Sequence, residues 1–368
     1  MTRALMRRSW TGTERLFAPQ VPAARLGAFR AVVCLIALYD YFLWGNAVLA
    51  DAAAVSAGTQ DRPWTPIFLL ELFGAGPLDL EQARALYVTG VAALCCGAVG
   101  LCARVSCAVG AVCFYWWSGL GYSWGKPHHD KVALAITLAA LPFARVGAGL
   151  AVDALLRSRW RWPRPRGRAR CVRGAPIRIA MVTLAFGYGG AGLSKLILGG
   201  VEWFNGYTLQ GIMLGHDGYL SRVVGQSVAL CQLQSVGVVA VQAAFPLALI
   251  SVRLRWFFLP MATFFHLMTW LTMDTGPYMR VWLMLFAFVP LEQVPAALLR
   301  GLRRGPWSRA FTTLFVALFA ALVGGVASRA IAWPWLAGFG LLLVLWFVGW
   351  ARARGWNAAA IAGTTPSQ

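Results

Sequence analysis

The chain has 368 residues, of which 59% are hydrophobic and only 12% charged. Soluble domains carry about 25% charged residues, so an ordinary globular protein is excluded. The net charge of +20 would indicate nucleic acid on a soluble basic surface, but here the arginines sit mostly in short loops between apolar runs, which excludes that partner.

Apolar stretches of roughly 20 residues recur along the chain, each long enough to cross a bilayer at about 1.5 Å per residue. They predict ten helices, at roughly 26–49, 84–103, 105–123, 131–148, 177–198, 227–250, 256–273, 278–298, 310–328 and 333–351. The fold class expected is therefore an all-α polytopic membrane protein. Residues 1–300 form the main transmembrane bundle, 301–351 add two C-terminal helices, and 352–368 are a short tail. Val48-Leu49-Ala50 has the form of a cleavage site, but the apolar run before it is too long for a signal-peptide core of about 7–15 residues.

Charge fixes the orientation. Arg3, Arg7, Arg8, Arg15 and Arg25, the nine arginines of 153–178, then Arg253 and Arg255, Arg300 to Arg309, and Arg352 and Arg354 all fall on one side of a ten-helix arrangement. In that arrangement 25 of 30 Arg are inside and nine of 13 acids outside, with both termini cytoplasmic and the protein multi-pass in the cell inner membrane. The basic segment 157–173, with Trp160 and Trp162, reads as a solvated topology anchor or as a site for anionic membrane lipid. The polar stretch 200–225 is too hydrophilic to span and reads as one interfacial helix on the outer side, with Trp203, Phe204 and Tyr207 at head-group level. The eight cysteines show no C-x-x-C spacing and no Cys/His pattern, so no metal site is expected.

Ionisable residues at membrane depth are costly and therefore candidates for function. Lys195 lies in the fifth apolar run, in Gly189-Gly190-Ala191-Gly192-Leu193-Ser194-Lys195; His266 lies in the seventh, in Phe264-Phe265-His266-Leu267; and His129 opens the fourth, in Lys126-Pro127-His128-His129-Asp130-Lys131. The chain holds 30 Arg but only three Lys (126, 131 and 195), all on the outer half of the predicted arrangement. Arg keeps its proton in practice, whereas a lysine withdrawn from water can act as a base. Glycines such as Gly192 let another backbone or a flat ligand come close. For Asp40 three roles stay open: pairing with Arg or Lys, holding a ligand hydroxyl, or hydration near the interface. Two histidines and one lysine at a similar outer depth suit one outward-facing pocket for proton abstraction.

At these residues the sequence resembles the vitamin K-dependent gamma-carboxylase-like membrane family, called the HTTM (horizontally transferred transmembrane) domain in bacteria. Leu26-Gly27-Ala28-Phe29-Arg30 and the run to Tyr39-Asp40 look like its opening helix. Ala191-Gly192-Leu193-Ser194-Lys195-Leu196, then Trp203 and Gly206, resembles its Ala-Gly-x-x-Lys-Leu and Trp-x-x-Gly pattern, and Phe264-Phe265-His266-Leu267 with Gly276-Pro277 its later His-bearing helix. The resemblance implies a carboxylase-like lyase or oxygenase in which Lys195 is the base on a reduced naphthoquinone (vitamin K or menaquinol type), supported by His129 and His266. Trp203, Gly192 and Asp40 are then the candidates for holding the quinone. Ser194 stands where the carboxylases have a second Lys, and their large extra-membrane domain does not follow the bundle here, which argues against peptide carboxylation and leaves quinone-linked or other proton-abstraction chemistry open. The alternative is a non-catalytic membrane accessory, serving maturation, export or immunity for a secreted peptide.

Overall fold

A computed structural model describes residues 18–125, 129–159, 171–273 and 284–289, and helix dominates among them. They fall into two compact units, one made of the described residues up to Gly187 with 284–289, the other beginning at Tyr188 and described to 273.

In the first unit the strand β1 (Gln20–Pro22) leads directly into α1 (Ala23–Ser56). The single turn α2 (Phe68–Leu72) and the helices α3 (Leu80–Val99), α4 (Ala103–Ser123), α5 (Val132–Ala140) and α6 (Val152–Arg159) follow. A second strand, β2 (Cys171–Arg173), pairs antiparallel with β1, with Val21 opposite Val172. Both valines are buried and their neighbours exposed, the alternation of a half-buried strand. This two-stranded ribbon is a small departure from the purely helical expectation.

Local chemistry sets the helix limits. Asp79 Oδ1 accepts from Gln82 N (2.8 Å) and Gln82 Oε1 accepts from Asp79 N (3.3 Å), a capping box that starts α3. Gly100 ends it in the left-handed region at φ 76°, where a side chain would also press on Arg30 and Ala151. Asp153 then caps α4, accepting from Cys102 N (2.8 Å) and Ala103 N (2.9 Å). The fourth predicted helix, 131–148, is cut short. It keeps its α form for nine residues, about 14 Å, and turns into a 3₁₀ turn over Leu141–Phe143. Pro142, which has no N–H to continue the ladder, accounts for the stop.

Polar contacts gather at the two ends of this unit. At one end the fully buried Arg30 donates to Val146 O (2.7 Å), Leu150 O (2.7 Å) and Ala98 O (3.2 Å), tying the first turns of α1 to the last turn of α3 and to the segment after α5. At the other, Leu80 N donates to Ser56 Oγ (2.8 Å), Thr65 N to Ser123 O (2.9 Å), and Arg62 pairs with Asp51. The helices α1, α3, α4 and α5 therefore run alternately up and down. Between the ends lies an aromatic core in which Tyr41 stacks on Trp117 at 5.4 Å, with Phe114 and Tyr87 beside it.

The helix α7 (Ala175–Ser194) leads into the second unit and continues as a π-helical turn, Lys195–Gly199, then a 3₁₀ turn, Gly200–Trp203. The single interfacial helix expected over 200–225 is instead two short helices, α8 (Tyr207–Leu214) and α9 (Tyr219–Gly225), broken at Gly215–Gly218. Leu209, Met213, Val224 and Cys231 form their core against α10 (Val228–Ala244). Gly206, at φ 84°, lies so close to Val228 O and Gln232 N of α10 that a Cβ would stand 2.8 Å from each. A 3₁₀ turn, Phe245–Leu249, and α11 (Val252–Met273) complete the unit.

Among the described residues three helical segments are long and apolar enough to cross a membrane: Leu80–Val99, Ala175–Trp203 and Val228–Leu249. A fourth is added if Ala23–Phe42 and Gly45–Ser56, bent by 47°, make one span. The protein is thus a helical membrane protein. The predicted helices 310–328 and 333–351, the tail and the basic stretch 160–170 lie outside the described residues, as does most of 278–298, of which Leu285–Phe288 is a buried 3₁₀ turn.

Candidate functional site

Lys195 stands where α7 changes to its π-helical turn, a widening of the helix that often marks functional sites. Its half-buried side chain sends Nζ to Gln242 Oε1 of α10 (3.0 Å) and to Ala191 O, one turn back (3.3 Å). The same nitrogen lies 5.2 Å above the Trp203 ring, within cation–π range. Glycines make this possible. Gly200, at φ 53°, reverses the chain, and Gly199 has no side chain to block the returning Trp203 ring, so the indole folds back toward Lys195. Among the described residues the partners of the amine are all neutral: an amide, a carbonyl and an indole.

The close approach that Gly192 permits is to a backbone. A Cβ there would collide with Ala243 N and stand 2.7 Å from Ala243 Cα, so Gly192 brings α7 against α10 and thereby sets Gln242 beside Lys195. The residues that follow the amine in the chain leave apolar side chains exposed: Leu196, Ile197, Leu198 and Val201.

His266 on α11 is buried and tied to a residue that hydropathy did not single out. Tyr188 Oη and His266 Nε2 are 2.5 Å apart, and the Tyr188 ring stacks on Phe245 at 4.3 Å. Tyr188, Gly192 and Lys195 follow the i, i+4, i+7 spacing of one helix face, so the His266 contact and the amine lie on one stripe of α7, about 10 Å apart along its axis.

Asp40 and His129 belong to the first unit. Asp40, fully buried on α1, forms an ion pair with Lys131 at 2.9 Å, which selects the first of the three roles that its sequence context left open. Lys131 also lies 5.1 Å from the Tyr122 ring, while Tyr122 Oη donates to Asp130 Oδ1 (3.0 Å). His129 is exposed in the 3₁₀ turn His129–Lys131, and Lys126, Pro127 and His128 lie outside the described residues. Among the described residues no cluster of three or more His, Cys, Asp or Glu is placed to hold a metal ion.

Two polar residues inside helices, Tyr188 and Gln242, thus escaped the sequence reading, and Arg30 entered it only as part of the opening-helix resemblance. The signal available for Gln242 and Arg30 was the same one that singled out Lys195, a strongly polar side chain inside an apolar run. Compared with models of protein families, with curated proteins and with solved structures, the chain matches none.

Proposed function

We propose that the chain is a multi-pass membrane enzyme in which Lys195 acts as the base on a lipid-soluble quinol, in the manner that its resemblance to the carboxylase-like family implies. The observation that carries this reading is the setting of the amine: half-buried, held by neutral partners only, on a turn whose Leu196, Ile197, Leu198 and Val201 are exposed. An apolar molecule moving in the bilayer reaches such a group sideways, and the Trp203 ring offers a flat surface for a flat substrate. A bound quinol would supply the reducing chemistry toward dioxygen; Lys195 would receive its hydroxyl proton, and Gln242 would hold the amine from α10.

His266 is assigned a supporting role through Tyr188. Ten crossings with both termini cytoplasmic in the inner membrane complete the proposal. The β1–β2 ribbon supports it, because residues 20–22 and 171–173 share one side while four helices, α1, α3, α4 and α5, alternate between them. Reporter fusions after residues 160, 225 and 305 test the orientation; an outward reporter at 160 or 305, or an inward one at 225, would refute it.

The chemistry is tested with purified protein in lipid nanodiscs supplied with a reduced naphthoquinone, following dioxygen consumption and the quinone products. Wild type is expected to consume oxygen, and Lys195→Ala and Lys195→Arg both to lose that activity, since Arg keeps the charge but cannot cycle the proton. Full activity in the Arg variant refutes the base role. A wild type that neither binds nor oxidises the quinol refutes the enzyme reading and leaves the membrane accessory for a secreted peptide.

A further inference from the structure

The reading above leaves unused a pair of sulfurs in the first unit. Cys34 of α1 and Cys107 of α4 are both free thiols with no solvent exposure, and their sulfurs flank the same glycine of α3. They meet at a level where α3 contributes no side chain. A Cβ added to Gly97 would stand 3.0 Å from Cys34 Sγ and 3.6 Å from Cys107 Sγ, so the glycine leaves the two sulfurs room to face each other. The fully buried Arg30, one turn before Cys34, acts electrostatically on both sulfurs and supplies the neighbouring positive charge that thiol chemistry uses.

The other cysteines are placed differently. Cys95, Cys102 and Cys171 are exposed and Cys96 is partly so, while Cys231 spends its thiol on Val224 O at 3.4 Å. The two side chains come from separate helices, 73 positions apart in the chain, and meet beside one glycine, so an approach of the two sulfurs to the S–S length of about 2.05 Å joins the helices.

We propose that Cys34 and Cys107 form a buried dithiol that a peroxide oxidises to an intrachain disulfide, joining α1 to α4. One thiol gives up its proton and attacks the peroxide, breaking the O–O bond to leave a sulfenic acid and one water. The second thiol then displaces the hydroxyl as a second water, closing the S–S bond. Two thiols lose two electrons and two protons in all, and hydrogen peroxide becomes two waters. Hydrogen peroxide is small and uncharged enough to enter a helix bundle, whereas bulky alkylating reagents are not. The crosslink closes a long loop and so restrains the unfolded chain, which raises stability if the helices keep their places.

The test uses the full chain in nanodiscs, treated with hydrogen peroxide, then denatured, alkylated with N-ethylmaleimide and digested for mass spectrometry. The expected product is one crosslinked peptide pair carrying Cys34 and Cys107, absent before oxidation and released by a phosphine reductant, with a higher apparent melting temperature for the oxidised protein. Cys34→Ser is expected to remove the crosslink and leave Cys107 fully alkylated. Complete alkylation of both residues in oxidised wild type overturns the proposal, as does random pairing of either one with Cys95, Cys96 or Cys113. Because the decisive reading is made on wild type, poor folding of the variant does not rescue it.

Discussion

Removing Lys131 isolates the energy of a buried ion pair. Asp40 is fully buried and its carboxylate lies 2.9 Å from Lys131 Nζ, whose side chain is 10% exposed. Lys131→Met keeps the apolar stem and deletes the ammonium. Breaking a buried pair from one side typically costs about 3–5 kcal/mol, because a carboxylate is left in a poorly solvating interior. Asp40→Asn is the milder change, since the ammonium still lies over the Tyr122 ring, 5.1 Å away, and next in sequence to Asp130; a cost of about 1–2 kcal/mol follows. The double variant should cost less than the two singles combined by at least about 1 kcal/mol, the coupling of groups in direct contact. Thermal unfolding in detergent, followed with a dye that fluoresces on reaching buried thiols, reads all four proteins. At about 2–4 °C per kcal/mol, Lys131→Met is expected to melt roughly 10 °C below wild type. A Lys131→Met variant as stable as wild type, or strictly additive costs, would refute the energetic role of the pair.

Three further outcomes follow from single contacts and are read in the same melting assay. Arg30→Lys should destabilise about as much as Lys131→Met, because a single ammonium cannot reproduce the fork that reaches Val146, Leu150 and Ala98, and each lost charged hydrogen bond is worth about 1.5–3 kcal/mol. Asp153→Ala should cost about 0.5–2 kcal/mol through the N-cap of α4, and Asp153→Asn appreciably less. Gly192→Ala should cost about 1–3 kcal/mol or more by forcing α7 away from the backbone of Ala243, and should also lower any Lys195-dependent oxidation, since Gln242 moves with α10.

The sequence made the helices legible where one physical signal dominated. Apolar runs predicted 84–103, 105–123 and 256–273, against Leu80–Val99, Ala103–Ser123 and Val252–Met273 observed, because burial or lipid contact along a whole helix leaves an unbroken hydrophobic record. It failed where local backbone chemistry competes with hydropathy, as at Pro142 in the fourth predicted helix and at Gly215–Gly218 between α8 and α9. That Asp40 could pair with an Arg or Lys was legible, but which one was not. Lys131 is 91 positions away, and which cation reaches a buried carboxylate depends on how helices pack rather than on any local pattern. Arg30 was hidden for another reason: among 30 arginines counted as markers of orientation, one inside a helix looks like one more marker until its three carbonyl partners are seen.

Four ionisable groups of the described helices, Arg30, Asp40, Lys195 and His266, are stabilised in different ways, and the difference bears on function. Arg30 is surrounded by three fixed carbonyls and Asp40 is neutralised by Lys131, so each would leave an opposite or complementary group stranded if it moved. Such groups hold a bundle together and are poor places for chemistry. His266 Nε2 is hydrogen-bonded to Tyr188 Oη, whose ring stacks on Phe245, a buried contact that suits orientation more than exchange with a substrate. Lys195 alone of the four is half-exposed, and its partners are an amide, a carbonyl of its own helix and an indole face, none of which holds a charge against it. A group whose surroundings can accommodate both the ammonium and the amine without a countercharge is the one that can give and take a proton repeatedly, which is why the proposed chemistry is placed on Lys195 and the other three are assigned to architecture and support.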